Sequence, residues 1–281
     1  MSSVIPAFIK ITRPVNLIIT AATVIVSGFI VPAGDPGILV LILAALCASL
    51  SAASGNVIND ITDIRIDAVN RPDRPLPSGA MTIRQAYILF YALNLSAIII
   101  SGFVSLAVVS IVIVSQIIIY YYSVRLKAVA FAGNAAVAFL TGLTVIFGGV
   151  AAGGELAYAV VPAGFAFLIN LVREMVKDIE DVEGDIKNGV RTAASKYGIV
   201  FVKKTAAVLT ILLLVSTIIP FLLHMYRIEY FVVVMCTVNV LLVWFLKKLF
   251  AAQDKKTYSF LSSMLKAAMV LGLVAVYLGC A

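Results

Sequence analysis

Asn56, Asp60, Asp63 and Asp67 follow one another at intervals of four, three and four residues, and Glu174, Asp178, Asp181 and Asp185 repeat those intervals 118 positions later. At 100° per residue each set falls within about 60° of one helix face. Like charges stacked at i, i+3, i+4 and i+7 repel one another, so such stripes call for a compensating cation. Oxygen donors with no His or Cys beside them are hard ligands suited to Mg²⁺, which keeps several waters and joins a few carboxylates to phosphate oxygens. Asn56 and Asn59 add neutral oxygen ligands or hydrogen bonds. Gly184 is expected to end the second helix early and swing Asp185 by a residue or two.

Basic residues adjoin both stripes. Arg71 and Arg74 follow the first within Arg-Pro-Asp-Arg-Pro-Leu-Pro-Ser-Gly (71–79), while Lys187, Arg191 and Lys196 follow the second. Guanidinium forks match diphosphate geometry. Metal, Arg and Lys at the mouth of an apolar helix bundle describe a site for an amphiphile with a diphosphate head and a hydrocarbon tail, a polyprenyl diphosphate.

The elements that must hold these groups are membrane helices. Of the 281 residues, 62% are hydrophobic and 12% charged, which excludes a water-soluble globule. A crossing takes roughly 20 apolar residues, and nine stretches qualify: 15–31, 38–57, 86–102, 106–123, 129–149, 157–176, 205–224, 230–247 and 258–279. Against that division, 20 of the 21 Lys and Arg residues fall on one side, leaving Arg227 opposite. Short cytoplasmic loops hold the Lys and Arg excess, so the N-terminus is expected inside and the C-terminus outside. The fold class is an all-α polytopic bundle of nine transmembrane helices forming one domain over 1–281, with a duplication relating helices 1–4 to 5–8. Asp35, Glu155 and Glu229 fall outside, whereas eleven acids share the basic face. Positive-inside bias does not account for those eleven.

Other features read as structural. Lys10 and Arg13 before the first span resemble a signal-peptide n-region, but no small-residue cleavage pattern follows, so the span is expected to be retained. Cys47, Cys236 and Cys280 are scattered and His224 stands alone, which supports neither a disulfide framework nor a zinc site. The glycine-rich stretch 148–154 lies away from every basic cluster and reads as a turn with close helix contact. Lys247, Lys248, Lys255 and Lys256 suit anionic lipid headgroups, and the tyrosines at 120–122 suit an aromatic belt.

Taken together, Asn-Asp-Ile-Thr-Asp-Ile-Arg-Ile-Asp (59–67), Asp-Val-Glu-Gly-Asp (181–185), the flanking runs 67–79 and 172–192, and Ile-Thr-Arg-Pro-Val-Asn (11–16) resemble the UbiA superfamily of intramembrane prenyltransferases, most closely its archaeal ether-lipid branch. The resemblance implies Mg²⁺-assisted ionisation of an allylic diphosphate and attack by an acceptor on the prenyl cation. It assigns Asp60, Asp63, Asp67, Asp181 and Asp185 to the metal, with Asp178 joining them as catalytic carboxylates. Substrate contacts fall to Asn16, Asn56, Asn59, Arg71, Arg74, Glu174, Lys187 and Arg191. Members with aromatic acceptors carry a Tyr-x-x-x-Lys motif on the fourth span; here Tyr122 and Lys127 are the nearest match, in a different register. For the archaeal branch the donor is geranylgeranyl diphosphate and the acceptor geranylgeranylglyceryl phosphate, a phosphorylated glycerol ether lipid. An aromatic acceptor is the alternative. A cation-coupled transporter is a further one, disfavoured because transporter sites lie near the bilayer midplane on broken helices.

Overall fold

A computed structural model describes residues 4–31 and 37–280, so Asp35 lies outside the described residues. The elements in order are α1 (Val4–Thr12), α2 (Pro14–Ile30), α3 (Ile38–Thr62), α4 (Ile64–Asn70), α5 (Ile83–Ser101), α6 (Leu106–Val124), a 3₁₀ turn (Leu126–Ala128), α7 (Ala132–Ala152), α8 (Ala157–Glu180) and α9 (Val182–Lys187). There follow α10 (Ala193–Tyr197), α11 (Ile199–Ser216), α12 (Ile219–Leu222), α13 (Ile228–Val233), a π-helical segment (Val234–Val238), α14 (Asn239–Ala251) and α15 (Lys255–Cys280).

Among the described residues eight helical stretches are long and apolar enough to cross a membrane, and α2, with 17 residues, is a shorter apolar helix where the first span was expected. Their mid-sections coincide with the expected spans; their ends do not. The segment expected at 205–224 begins at Ile199, which draws Lys203 and Lys204 into the helix, and the last span begins at Lys255. Hydropathy places apolar centres, whereas helix ends are set by caps. Thr82 and Gln85 form a capping box that starts α5 ahead of its apolar run, and Ser105 accepts a hydrogen bond from the Val108 amide to start α6.

One helix went unexpected. The nine residues of α1 are too few to register as a span, and they join α2 through Arg13, whose φ of 56° is left-handed. Pro14 occupies the first turn of α2, where its missing N–H costs nothing.

The bundle closes around a cavity. α2 packs on α3 and α7, α7 on α8, and α8 on α11 and α15, while α5 and α6 cover α3. Gly148 lets α7 pack tightly on α2, since a Cβ there would collide with the Val24 carbonyl, and Gly153 closes α7 at φ +72. The expectation of a turn with close helix contact at 148–154 holds. On the polar end, the short helices α4 and α9 pack on each other.

Candidate active site

Both sets are delivered by a helix that breaks at the set's third member. Asp63 ends α3 at φ −92°, ψ 4°, and Asp181 ends α8 at φ −99°, ψ 2°, each followed at once by a short helix. One unbroken face per set is therefore corrected to two offset helices, matched between the sets. The breaks aim α4 and α9 at each other, and their contact explains Gly184. That residue sits inside α9 rather than ending a helix, and a Cβ on it would strike the Asn70 side-chain amide of α4.

Between the two broken helices opens a cavity of about 440 Å³, walled at its mouth by Asp63, Asp67, Asp178, Asp181 and Asp185 with Arg71, Arg74 and Lys127. Farther in, the wall includes Ile19, Ile111, Leu140, Phe147, Phe165 and Val238. The amphiphile site expected from the sequence thus has a polar head and an apolar depth.

The charges at the mouth interlock the two halves of the chain. Arg71, beyond the first stripe, donates to Asp181 of the second at 2.9 Å, and Lys127 forms an ion pair with Asp63. Arg74 donates to Asp67 and, at 3.0 Å, to Asp60. Asn59 Nδ2 donates to Asp63 at 2.8 Å. In the second set, Asp178 accepts from Asn134 Nδ2 at 3.0 Å and from the Ala193 amide at 3.2 Å, while Asp185 accepts from Thr192 Oγ1 at 3.0 Å. Burial raises the pKa of Asp67, and raises that of Asp185 to about 6, with the Thr192 bond working against the rise. Burial also opposes the charge of Arg74, but Asp60 and Asp67 outweigh it and its pKa rises.

Three expected site residues stand apart. Asp60 is 2% exposed, lies off the cavity wall, and accepts from both Arg13 and Arg74, so it anchors two guanidiniums instead of facing the cavity. Lys187 and Arg191 are exposed and off the wall, because the chain turns away after α9 through Gly189 at φ +68. The others reach the cavity. Asn16 accepts from Lys266 at 2.8 Å, Asn56 binds the Thr12 carbonyl and Arg13, and Glu174 accepts from Arg173 and Lys177. Tyr122 lines the wall, whereas Tyr120 and Tyr121 are exposed, so the belt reading applies to two of the three.

The donor set fits a hard divalent cation. Among the described residues no three Asp, Glu, His or Cys side chains converge as a ready-made cage. Asp63, Asp67, Asp181 and Asp185 instead offer single carboxylates around the mouth, the donor type such a cation combines with waters and phosphate oxygens.

Sequence reasoning missed Asn134, Thr192 and Lys266 as site residues and weighed Arg13, Arg173 and Lys177 only as topology markers. Lys266 carried a usable signal: a lysine eleven residues inside an apolar helix is costly unless it faces a polar interior. Asn134 and Thr192 carried none, since single amides and hydroxyls are common anywhere.

The UbiA prenyltransferase family model matches residues 20–274. Digeranylgeranylglyceryl phosphate synthases of Thermococcus kodakarensis and Thermococcus gammatolerans are 34% identical over 270 residues and 36% over 274, covering 96% of this chain and of each relative. A solved structure from work on digeranylgeranylglyceryl phosphate synthase in membranes superposes at TM-score 0.74 with 31% identity, covering 100% of this chain and 99% of that one. A UbiA homolog from Archaeoglobus fulgidus, bound to GPP and Mg²⁺, shares the fold at TM-score 0.68 with 16% identity, covering 96% and 99%. With its interlocked acidic helix ends and its match over nearly the whole length, the chain belongs to the UbiA prenyltransferase family, as a multi-pass intramembrane prenyltransferase.

Proposed function

We propose that the protein transfers the geranylgeranyl group of geranylgeranyl diphosphate to the free hydroxyl of geranylgeranylglyceryl phosphate, making the second ether link of an archaeal membrane lipid. The observation that carries this reading is the full-length likeness to proteins of that name at 34–36% identity. The cavity agrees with it, since a charged mouth over an apolar depth suits a prenyl diphosphate.

In this reading Asp63, Asp67, Asp181 and Asp185 would hold Mg²⁺, which supplies charge stabilisation to the departing diphosphate. Arg71, Arg74 and Lys127 bind diphosphate oxygens, releasing their present carboxylate partners to the metal. The apolar wall orients the prenyl tail and keeps water from the allylic cation. The carbon–oxygen bond to diphosphate breaks, the acceptor oxygen bonds to the same carbon, and the hydroxyl proton leaves to the diphosphate or to a mouth carboxylate. The bias of 20 of 21 cationic residues toward one side supports a mouth opening to the cytoplasm. The matched breaks at Asp63 and Asp181 fit a duplication relating the two halves of one domain.

Purified protein given geranylgeranyl diphosphate and Mg²⁺ is expected to yield an ether product with geranylgeranylglyceryl phosphate and none with a hydroxybenzoate or dihydroxynaphthoate. Product with an aromatic acceptor alone overturns the assignment.

A further inference from the structure

Helix α8 carries two chemistries on its cavity side. At 100° per residue Arg173, Lys177 and Asn170 occupy one flank, and Glu174 and Asp178 the other. The acidic flank meets Asn134 of α7. The basic flank looks toward α15 and α2, where Lys266 donates to Asn16 at 2.8 Å, and Arg13, Arg173, Lys177 and Lys266 all line the cavity. Within this group Glu174 is the one carboxylate paired with Arg173 and Lys177, at 3.0 and 2.8 Å. With Arg13 paired to Asp60, the three cations Arg173, Lys177 and Lys266 stand against the one anion Glu174, a surplus of two positive charges flanked by apolar helices.

Two polar groups at the same place lack partners. Asn170 is 4% exposed and lines the cavity, and its Nδ2 makes no hydrogen bond; the Nε of Arg173 is buried and likewise unpaired. Buried donors left unsatisfied are costly, and a surplus of half-buried cations adds to the cost. Both deficits are met by one ligand, an anion of about two negative charges with several acceptor oxygens. A phosphate monoester carries about −1.5 to −2 at neutral pH and offers three such oxygens. Arg173 stands eight residues before Asp181 on α8, about 12 Å deeper along the axis, and Lys177 about 6 Å deeper, so the cluster lies inward of the diphosphate mouth in the same cavity.

Resting on the prenyl-transfer reading above, we infer that Arg173, Lys177, Lys266 and Asn170 form the subsite for the acceptor's phosphate. Phosphate and reacting hydroxyl share one three-carbon glycerol unit, so gripping the phosphate sets the hydroxyl at the allylic carbon, and a phosphate-free alcohol is selected against.

The test measures steady-state transfer and donor-free binding of geranylgeranylglyceryl phosphate to the full chain, for wild type, Arg173→Gln and Lys266→Gln, with geranylgeranylglycerol as the phosphate-free comparison. Loss of a charged hydrogen bond predicts a KM for the phosphate acceptor, and a Kd, raised about 10- to 100-fold, with donor KM within about twofold and the preference for phosphate over alcohol collapsing. A donor KM that rises as much as the acceptor KM, or an unchanged Kd, overturns the subsite while transfer by the wild type leaves the activity standing. Wild type that neither binds nor alkylates the glyceryl phosphate overturns both. A global unfolding transition at the wild-type temperature excludes misfolding as the cause of a loss, and Arg173→Lys is expected to recover part of the affinity.

Discussion

At the residue scale, the mouth separates carboxylates that hold the protein together from carboxylates that face the substrate. Asp60 is buried beneath Arg13 and Arg74, while Asp63 and Asp181 face the cavity from helix breaks. Taking away one partner of a buried ion network leaves the others uncompensated, so Asp60→Ala is expected to cost about 3–5 kcal/mol of stability, read by thermal unfolding in detergent. Asp63→Asn and Asp181→Asn keep their size and one hydrogen-bonding oxygen, and are expected to lose less stability than Asp60→Ala while lowering kcat by ~10²–10³. Equal destabilisation by all three would show that the division is wrong. The four-three-four spacing made the paired stripes legible in the sequence, but it could not separate Asp60 from Asp63, because the distinction depends on Arg13 reaching across from another helix.

At the element scale, the decisive feature is a helix that stops and restarts. No Pro or Gly marks the break at Asp63 or at Asp181; the apolar and acidic period runs straight through, which is why a continuous helix was the natural reading. The break is held by tertiary partners, with Lys127 on Asp63 and Arg71 on Asp181. The packing of α4 on α9 that follows depends on Gly184, so Gly184→Ala, which drives a methyl into Asn70, is expected to lower turnover with an overpacking cost of about 1–3 kcal/mol. Gly148→Ala sets a methyl against the Val24 carbonyl and should cost as much or more, because backbone yields less readily than an amide side chain. The two differ in readout: Gly148 stands away from the charged mouth, so its substitution should lower the unfolding temperature with donor KM little changed, whereas Gly184→Ala should raise donor KM.

At the scale of the molecule, hydropathy and charge bias were enough to foretell an all-helical membrane bundle, and the reason is physical: the bilayer fixes span length and the loops carry the cations. The same counting hid Lys266 and Arg173, which it absorbed as loop charges although both project into the cavity from within helices. It also passed over α1, whose nine residues need span nothing. Because the mouth carboxylates already pair with Arg and Lys, Mg²⁺ alone is expected to bind weakly, and the donor to raise its affinity by offering phosphate oxygens to both metal and guanidinium; titration calorimetry with and without geranylgeranyl diphosphate reads that synergy. Chelation should abolish transfer and leave the unfolding temperature of the donor-free protein unchanged.

Two acidic helix ends far apart in the sequence make one site. Equilibrium binding of geranylgeranyl thiolodiphosphate, a slowly ionising donor analogue, in the presence of Mg²⁺ tests it directly. One analogue is expected to bind per chain, with affinity lost on substitution in either half alone, Asp63→Asn or Asp181→Asn. Two analogues per chain, or a wild-type affinity that survives loss of one half's carboxylate, would contradict it.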